Sequence, residues 1–136
     1  MKTGNLVSLS EQQIVDCAWG PWIQGNSGCD GGFAGPAYEW IMQNGGIALE
    51  NTYKYLMMDH WCNAYDTSSG VTLTGYVNVT SGSEADLLDA IATVGPVTVA
   101  IDASHPSLTY YTSGVYYEPA CGNTPDDLDH RMCLEF

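Results

Sequence analysis

The sequence predicts an α+β fold on three observations. Capped segments of helical spacing fill the first half, strict alternation of apolar and polar residues marks the second, and the change falls near Gly75. Residues 1–74 read as a largely helical part and 75–136 as a β-rich part, so the chain is expected to span a two-lobe boundary. With 136 residues, 45% of them hydrophobic, it is long and apolar enough to fold around a core.

Ser10-Glu11-Gln12-Gln13 has the form of a capping box, and Ile14, Val15 and Cys17 follow as the apolar face of a short helix. The glycine-rich stretch 18–35 reads as an irregular loop. Pro36 suits a first helical turn, Ala37–Gln43 reads as a helix with Tyr38, Ile41 and Met42 on one face, and Gly45-Gly46 ends it. Beyond Thr72, Val77 and Val79 alternate with polar residues. Ser83, with Asp86 at the third position, caps another helix that Gly95-Pro96 stops. Val97, Val99 and Ile101 alternate with Thr98, Ala100 and Asp102 as in a strand, and Gly114–Tyr117 reads as a further strand. The chain carries no internal repeat and no low-complexity segment.

Lys2, Lys54 and Arg131 oppose 16 carboxylates, for a net charge of −13. That excess repels nucleic acid and anionic membranes, so neither is an expected partner. It also suits a mildly acidic compartment. Cys17, Cys29, Cys62, Cys121 and Cys133 lack the close pair spacing of structural zinc sites. They read as disulfide cysteines of an oxidising compartment, with at least one sulfur unpaired. Asn78-Val79-Thr80 is a glycosylation sequon, which points to the secretory route. Met1–Asn5 lacks the apolar run of a signal peptide and no stretch is long enough to span a membrane, so the protein's N-terminus is expected to lie elsewhere.

Four blocks, in order, carry a family resemblance: Lys2 through Cys17, with Leu9-Ser10-Glu11-Gln12 and Val15-Asp16-Cys17 at its end; Gly28-Cys29-Asp30-Gly31-Gly32; Gly95-Pro96-Val97-Thr98-Val99-Ala100-Ile101-Asp102; and Tyr111 through Tyr116 followed by Asp129-His130. Together they resemble the papain-like cysteine proteases, which include the cathepsins. The resemblance implies a helical lobe over 1–74 that lacks the nucleophile helix and an incomplete β-barrel lobe over 75–136. It matches His130, preceded by Asp129, to the catalytic histidine that takes the proton of a cysteine thiol. Gly31 and Gly32 match the segment that pairs its backbone with the substrate, where a side chain would block close approach. A tight loop needing positive φ is the other account of them, and both can hold together. Phe33, Ala34, Ala100 and Leu128 match positions lining the pocket for the second residue before the cleaved bond, implying preference for a medium or large apolar side chain. Core packing is the competing account of Ala100 and Leu128. Cys17 and Cys62 match a family disulfide, while Cys29 and Cys121 match half-cystines whose partners lie outside this sequence; Cys133 has no counterpart. The implied partners are peptide or protein substrates and protease inhibitors, the implied location is lysosomal or secreted, and no cofactor or metal is expected.

The pattern breaks at both ends. The family's C-G-[SA]-C-[WY] nucleophile motif stands about 130–150 residues before the histidine, which would be ahead of Met1. The oxyanion-hole glutamine is also expected upstream, and Gln12, Gln13 and Gln24 do not match it. After His130 the sequence departs into Arg131-Met132-Cys133-Leu134-Glu135-Phe136, putting a guanidinium where a small residue borders the pocket, and the asparagine that orients the imidazole is missing. These 136 residues are therefore expected to lack peptidase activity, the complete protein being a peptidase. The alternative is a non-catalytic homologue that binds peptides or inhibitors. Other readings are weaker: a binding module built on Trp19, Trp22, Tyr110, Tyr111, Tyr116 and Tyr117 competes with ordinary packing, and a metal site at Asp59, His60 and Cys62 competes with the disulfide. His60 and His105 are expected to be solvated.

Overall fold

The computed structural model describes residues 4–21, 23–64 and 70–134. Trp22 and the Lys2-Thr3 and Glu135-Phe136 ends of the motifs above lie outside the described residues. The chain forms two compact units, Met1–Val77 and Asn78–Phe136.

In the first unit, α1 spans Glu11–Cys17. Ser10 caps it, its Oγ accepting the amide of Gln13 at 3.0 Å. The capping box is only half made: Gln13 Oε1 instead accepts the Ala48 amide at 2.7 Å, while the Ser10 amide donates to the Ala48 carbonyl at 3.0 Å. The face that α1 buries matches the expected apolar one only at Cys17. Gln12, Gln13, Asp16 and Cys17 are buried, whereas Ile14 and Val15 are half-buried. Burying amides and a carboxylate is tolerable only when they are bonded, and here a strap of chain supplies the partners. Gln12 donates to Met58 O and accepts from the Leu56 amide, each at 2.7 Å. Asp16 accepts from Gln12 and the Tyr53 hydroxyl at 2.7 Å and from the His60 amide at 2.8 Å. The Cys17–Cys62 disulfide closes the strap.

α2 runs over Ala34–Gln43, beginning three residues before the expected Ala37. Pro36 thus occupies the third helical position, still within the first turn, whose amides lack intrahelical acceptors. Gly46 N donates to Ile41 O at 2.9 Å and Gly45 N to Met42 O at 3.2 Å, with Gly45 at φ 77°. This is the Schellman ending that two glycines permit. Trp40 and Ile41, rather than Met42, are the residues α2 buries. They pack with Cys17, Ala18, Ile23 and Ile47, and Leu9, Ile14, Tyr38, Ala64 and Leu73 close over them. Each large apolar side chain so buried contributes about 1.5–3 kcal/mol.

The second unit contains α3 (Glu84–Thr93), β1 (Val97–Ile101), the short α4 (Pro106–Thr109) and β2 (His130–Leu134). Ser83 Oγ accepts the Asp86 amide at 3.2 Å to start α3, and Gly95, at φ 121°, follows its end. β1 and β2 form an antiparallel pair in which Ile101 faces His130, Ala100 faces Arg131 and Val97 faces Leu134. The strand expected over Gly114–Tyr117 is not seen, and the alternating stretch at Val77 and Val79 forms none among the described residues. Segments 75–80 and 114–117 have no ladder partner among the described residues, and Val77 and Val115 are exposed. Alternation marks a surface able to join a sheet, but a strand exists only when a neighbour takes its amides and carbonyls. No helix among the described residues is long and apolar enough to cross a membrane.

Candidate active site

The expected site residues divide between the two units. Four lie in the first. The turn Gly28–Asp30 is a single 3-10 turn that leads into Gly31. Gly31 has φ 102° and open space around its Cβ position, so conformation rather than crowding demands glycine there. Gly32 is the reverse: a Cβ would stand 2.2 Å from Asn26 Oδ1, which accepts the Phe33 amide at 2.7 Å. Both glycines are exposed, and together they present a ledge of bare backbone. Phe33 is half exposed, its ring stacked over Gly25, and Ala34 opens α2 half-buried.

The ledge is held from below by a residue whose role the sequence did not disclose. Asp59 Oδ1 accepts the Cys29 amide at 2.8 Å, and a Cβ on Gly28 would lie 2.1 Å from that oxygen. Asp59 reaches this point because Asp16 fixes the next amide, that of His60, and Gln12 the carbonyl of Met58. The considered metal cluster of Asp59, His60 and Cys62 is thus resolved otherwise: Cys62 is in the disulfide and Asp59 anchors the turn. Cys29 itself is a free, exposed thiol. Local desolvation, then the hydrogen bond and charge of Asp59, push its pKa up, which disfavours thiolate.

The remaining residues lie in the second unit. His130 opens β2 and is exposed. Its position is set by register, since it faces Ile101, and by Asp129, whose amide donates to Ile101 O at 3.2 Å and whose Oδ1 accepts the Ala103 amide at 2.7 Å. Side chains alternate along a strand, so His130, Met132 and Leu134 share one face and Arg131 and Cys133 the other. Cross-strand pairing puts Ala100 on the face of Arg131. The half-buried guanidinium donates from Nη1 to the Leu128 carbonyl at 3.3 Å. Arg131 thus stands opposite Ala100 and against the Leu128 backbone. Asn78, the sequon residue, is exposed.

His105 corrects the expectation of a solvated histidine. Its Nε2 lies 3.1 Å from Asp102 Oδ2, and Asp102 is the second unit's one buried residue among those described. The Asp102 carboxyl is held far below the ordinary carboxylate range, first by the Ser104 hydroxyl, then by the amides of Gly122 and Ser104. Cys121, free and exposed, directs Sγ to the Asp102 carbonyl at 3.7 Å. Desolvation, Asp102 and Glu118 push that thiol up in turn.

Comparison with known proteins gives the family. A family description, "Papain family cysteine protease", matches residues 1–134. The chain is 48% identical over 132 residues to digestive cysteine proteinase 1 of Homarus americanus, covering 97% of this chain and 40% of that protein. To cathepsin L2 of Homo sapiens it is 46% identical over 133 residues, covering 98% of this chain and 38% of the relative. The solved digestive procathepsin L 3 of the Tenebrio molitor larval midgut superposes with a TM-score of 0.84 at 39% identity, over 98% of this chain and 42% of that one. Bromelain from Ananas comosus, solved with the E64 inhibitor, gives a TM-score of 0.80 at 34% identity, over 97% of this chain and 56% of that one. The chain spans about two-fifths of the length of these curated relatives. From the match along nearly its whole length, the chain belongs to the papain family of cysteine proteases.

Proposed function

We propose that this chain supplies the general base and the substrate ledge of a cysteine peptidase, and that the 136 residues by themselves do not hydrolyse peptide bonds. His130 is the base that takes a thiol proton. Gly31 and Gly32 pair with the backbone of an extended peptide, and Phe33, Ala34, Ala100 and Leu128 line the pocket for an apolar side chain. The single observation that carries the inactivity is the state of the sulfurs. Cys17 and Cys62 are bonded to each other. Cys29 and Cys121 are both shifted towards the neutral thiol, and Cys121 is engaged by the Asp102 carbonyl. Cys133 sits three positions from His130 on the same strand and so points to the opposite face. These states support the reading that none of the five is the nucleophile.

In the whole protein the same residues would act on peptide or protein substrates and meet protease inhibitors. A lysosomal or secreted location, with glycosylation at Asn78, is consistent with the disulfide and the exposed sequon. The test is hydrolysis of a fluorogenic dipeptide amide by the purified chain. No turnover is expected, with or without a thiol-directed epoxide. Turnover that the epoxide abolishes and His130→Ala removes would show that one of these five cysteines is the nucleophile after all.

A further inference from the structure

We infer that Asp102, His105 and Cys121 form a binding site for a zinc-class divalent cation whenever Cys121 is reduced. One donor atom from each, a carboxylate oxygen, an imidazole nitrogen and the sulfur, lies within 4.8 Å of the others. Zinc bonds such atoms at about 2.0–2.3 Å, which sets ligand atoms on a tetrahedral ion about 3.3–3.8 Å apart. The Asp102 Oδ2 to His105 Nε2 separation is already 3.1 Å. A modest turn of the exposed Cys121 side chain brings the sulfur in. The mixed oxygen, nitrogen and sulfur set suits zinc or cobalt and not calcium or magnesium, which take oxygen alone.

The carboxylate is pre-oriented as metal ligands usually are. Ser104 donates to Asp102 Oδ1 through its amide at 3.0 Å and its hydroxyl at 2.6 Å, and the Gly122 amide donates to Oδ2 at 2.9 Å. The last contact also ties down the residue next to Cys121. On binding, His105 presents the Nε2 lone pair with its proton on Nδ1, and the Cys121 thiol releases its proton to solvent. Two anionic ligands balance the dication, and water completes the fourth position. The net charge of −13 favours cation approach. Sequence spacing concealed the cluster, because Cys121 is distant in the chain from the Asp102–His105 pair and the resemblance assigned it to a disulfide. Disulfide and metal are mutually exclusive at this sulfur.

The experiment is a Co²⁺ titration, in the absence of reductant, of the 136-residue chain carrying Cys29→Ser and Cys133→Ser, so that with Cys17–Cys62 still bonded Cys121 is the one free thiol. One equivalent should produce a sulfur-to-cobalt charge-transfer band that Zn²⁺ abolishes and Cys121→Ser removes. His105→Gln should weaken binding at least about tenfold, and Ser104→Ala, which only frees the carboxylate, about 10–100-fold. Circular dichroism of each variant checks that the fold is kept. Absence of the band in the parent, its survival in Cys121→Ser, or indifference to His105→Gln would overturn the assignment.

Discussion

Gln12 shows how a side chain can hold a distant site in place. Its amide binds the Leu56 amide, the Met58 carbonyl and the Asp16 carboxylate while fully buried. Gln12→Ala leaves those groups without partners, and a loss of about 2–4 kcal/mol in urea unfolding is expected. Gly32→Ala acts on the ledge directly. The new methyl displaces Asn26 and breaks its bond to the Phe33 amide, so a cost of about 1–3 kcal/mol is expected in the same assay. At this scale the sequence was legible where a residue acts through its backbone or its order. Gly31 and the start of β1 follow from turn chemistry and alternation. Asp59 and Asp102 do not, because a carboxylate that accepts an amide 30 or 20 residues away looks, in sequence, like any solvated charge.

Elements were legible in proportion to how local their causes are. The Ser10 and Ser83 caps and the Gly45-Gly46 ending depend on neighbours within a few positions, and they stand where the pattern put them. The buried face of α1 depends on the strap from Tyr53 to His60, and helical periodicity alone favoured Ile14 and Val15 instead. β2 was hidden for a related reason: His130–Leu134 departs from the family pattern, yet its backbone still pairs with β1. The strap itself is secured by the disulfide, whose residues are 45 apart in sequence. Reduction, or the pair Cys17→Ser and Cys62→Ser, should cost roughly 3–4 kcal/mol. Hydrogen exchange should report the loss first at the Cys29 and His60 amides, which Asp59 and Asp16 hold. Equal protection of both amides with and without the disulfide would refute that coupling.

On the scale of the molecule the two units differ in what holds them. All the buried apolar side chains among the described residues belong to Met1–Val77, while Asn78–Phe136 gathers its loops around the Asp102 carboxylate and leaves Leu88, Val94, Val115 and Met132 exposed. Their pH responses should differ in consequence. Asp102, Glu118 and Asp127 are all lowered, chiefly by the hydroxyls of Ser104, Ser107 and Thr124. A folded pKa below the unfolded one gives stability that is present above about pH 4 and lost as pH falls below it. Tyr53 and Tyr76 are raised, Tyr53 first by desolvation and then by Asp16, Tyr76 first by its bond to Glu39. Their contribution is present below about pH 10 and lost as pH rises past it. Acid should therefore loosen the second unit before the first, as residue-resolved NMR titration would read. Simultaneous loss of both units in acid would contradict the division.

The antiparallel register carries one last implication, about tolerance to length change. A one-residue deletion inside Val97–Ile101 breaks the match of β1 to β2, because residues on one side of it keep their partners while those on the other are turned to the opposite face. An insertion at the exposed 123–126 corner spares the ladder and leaves the imidazole where it is. Evolution could lengthen that corner freely, whereas the five strand positions before Asp102 admit substitution but no indel.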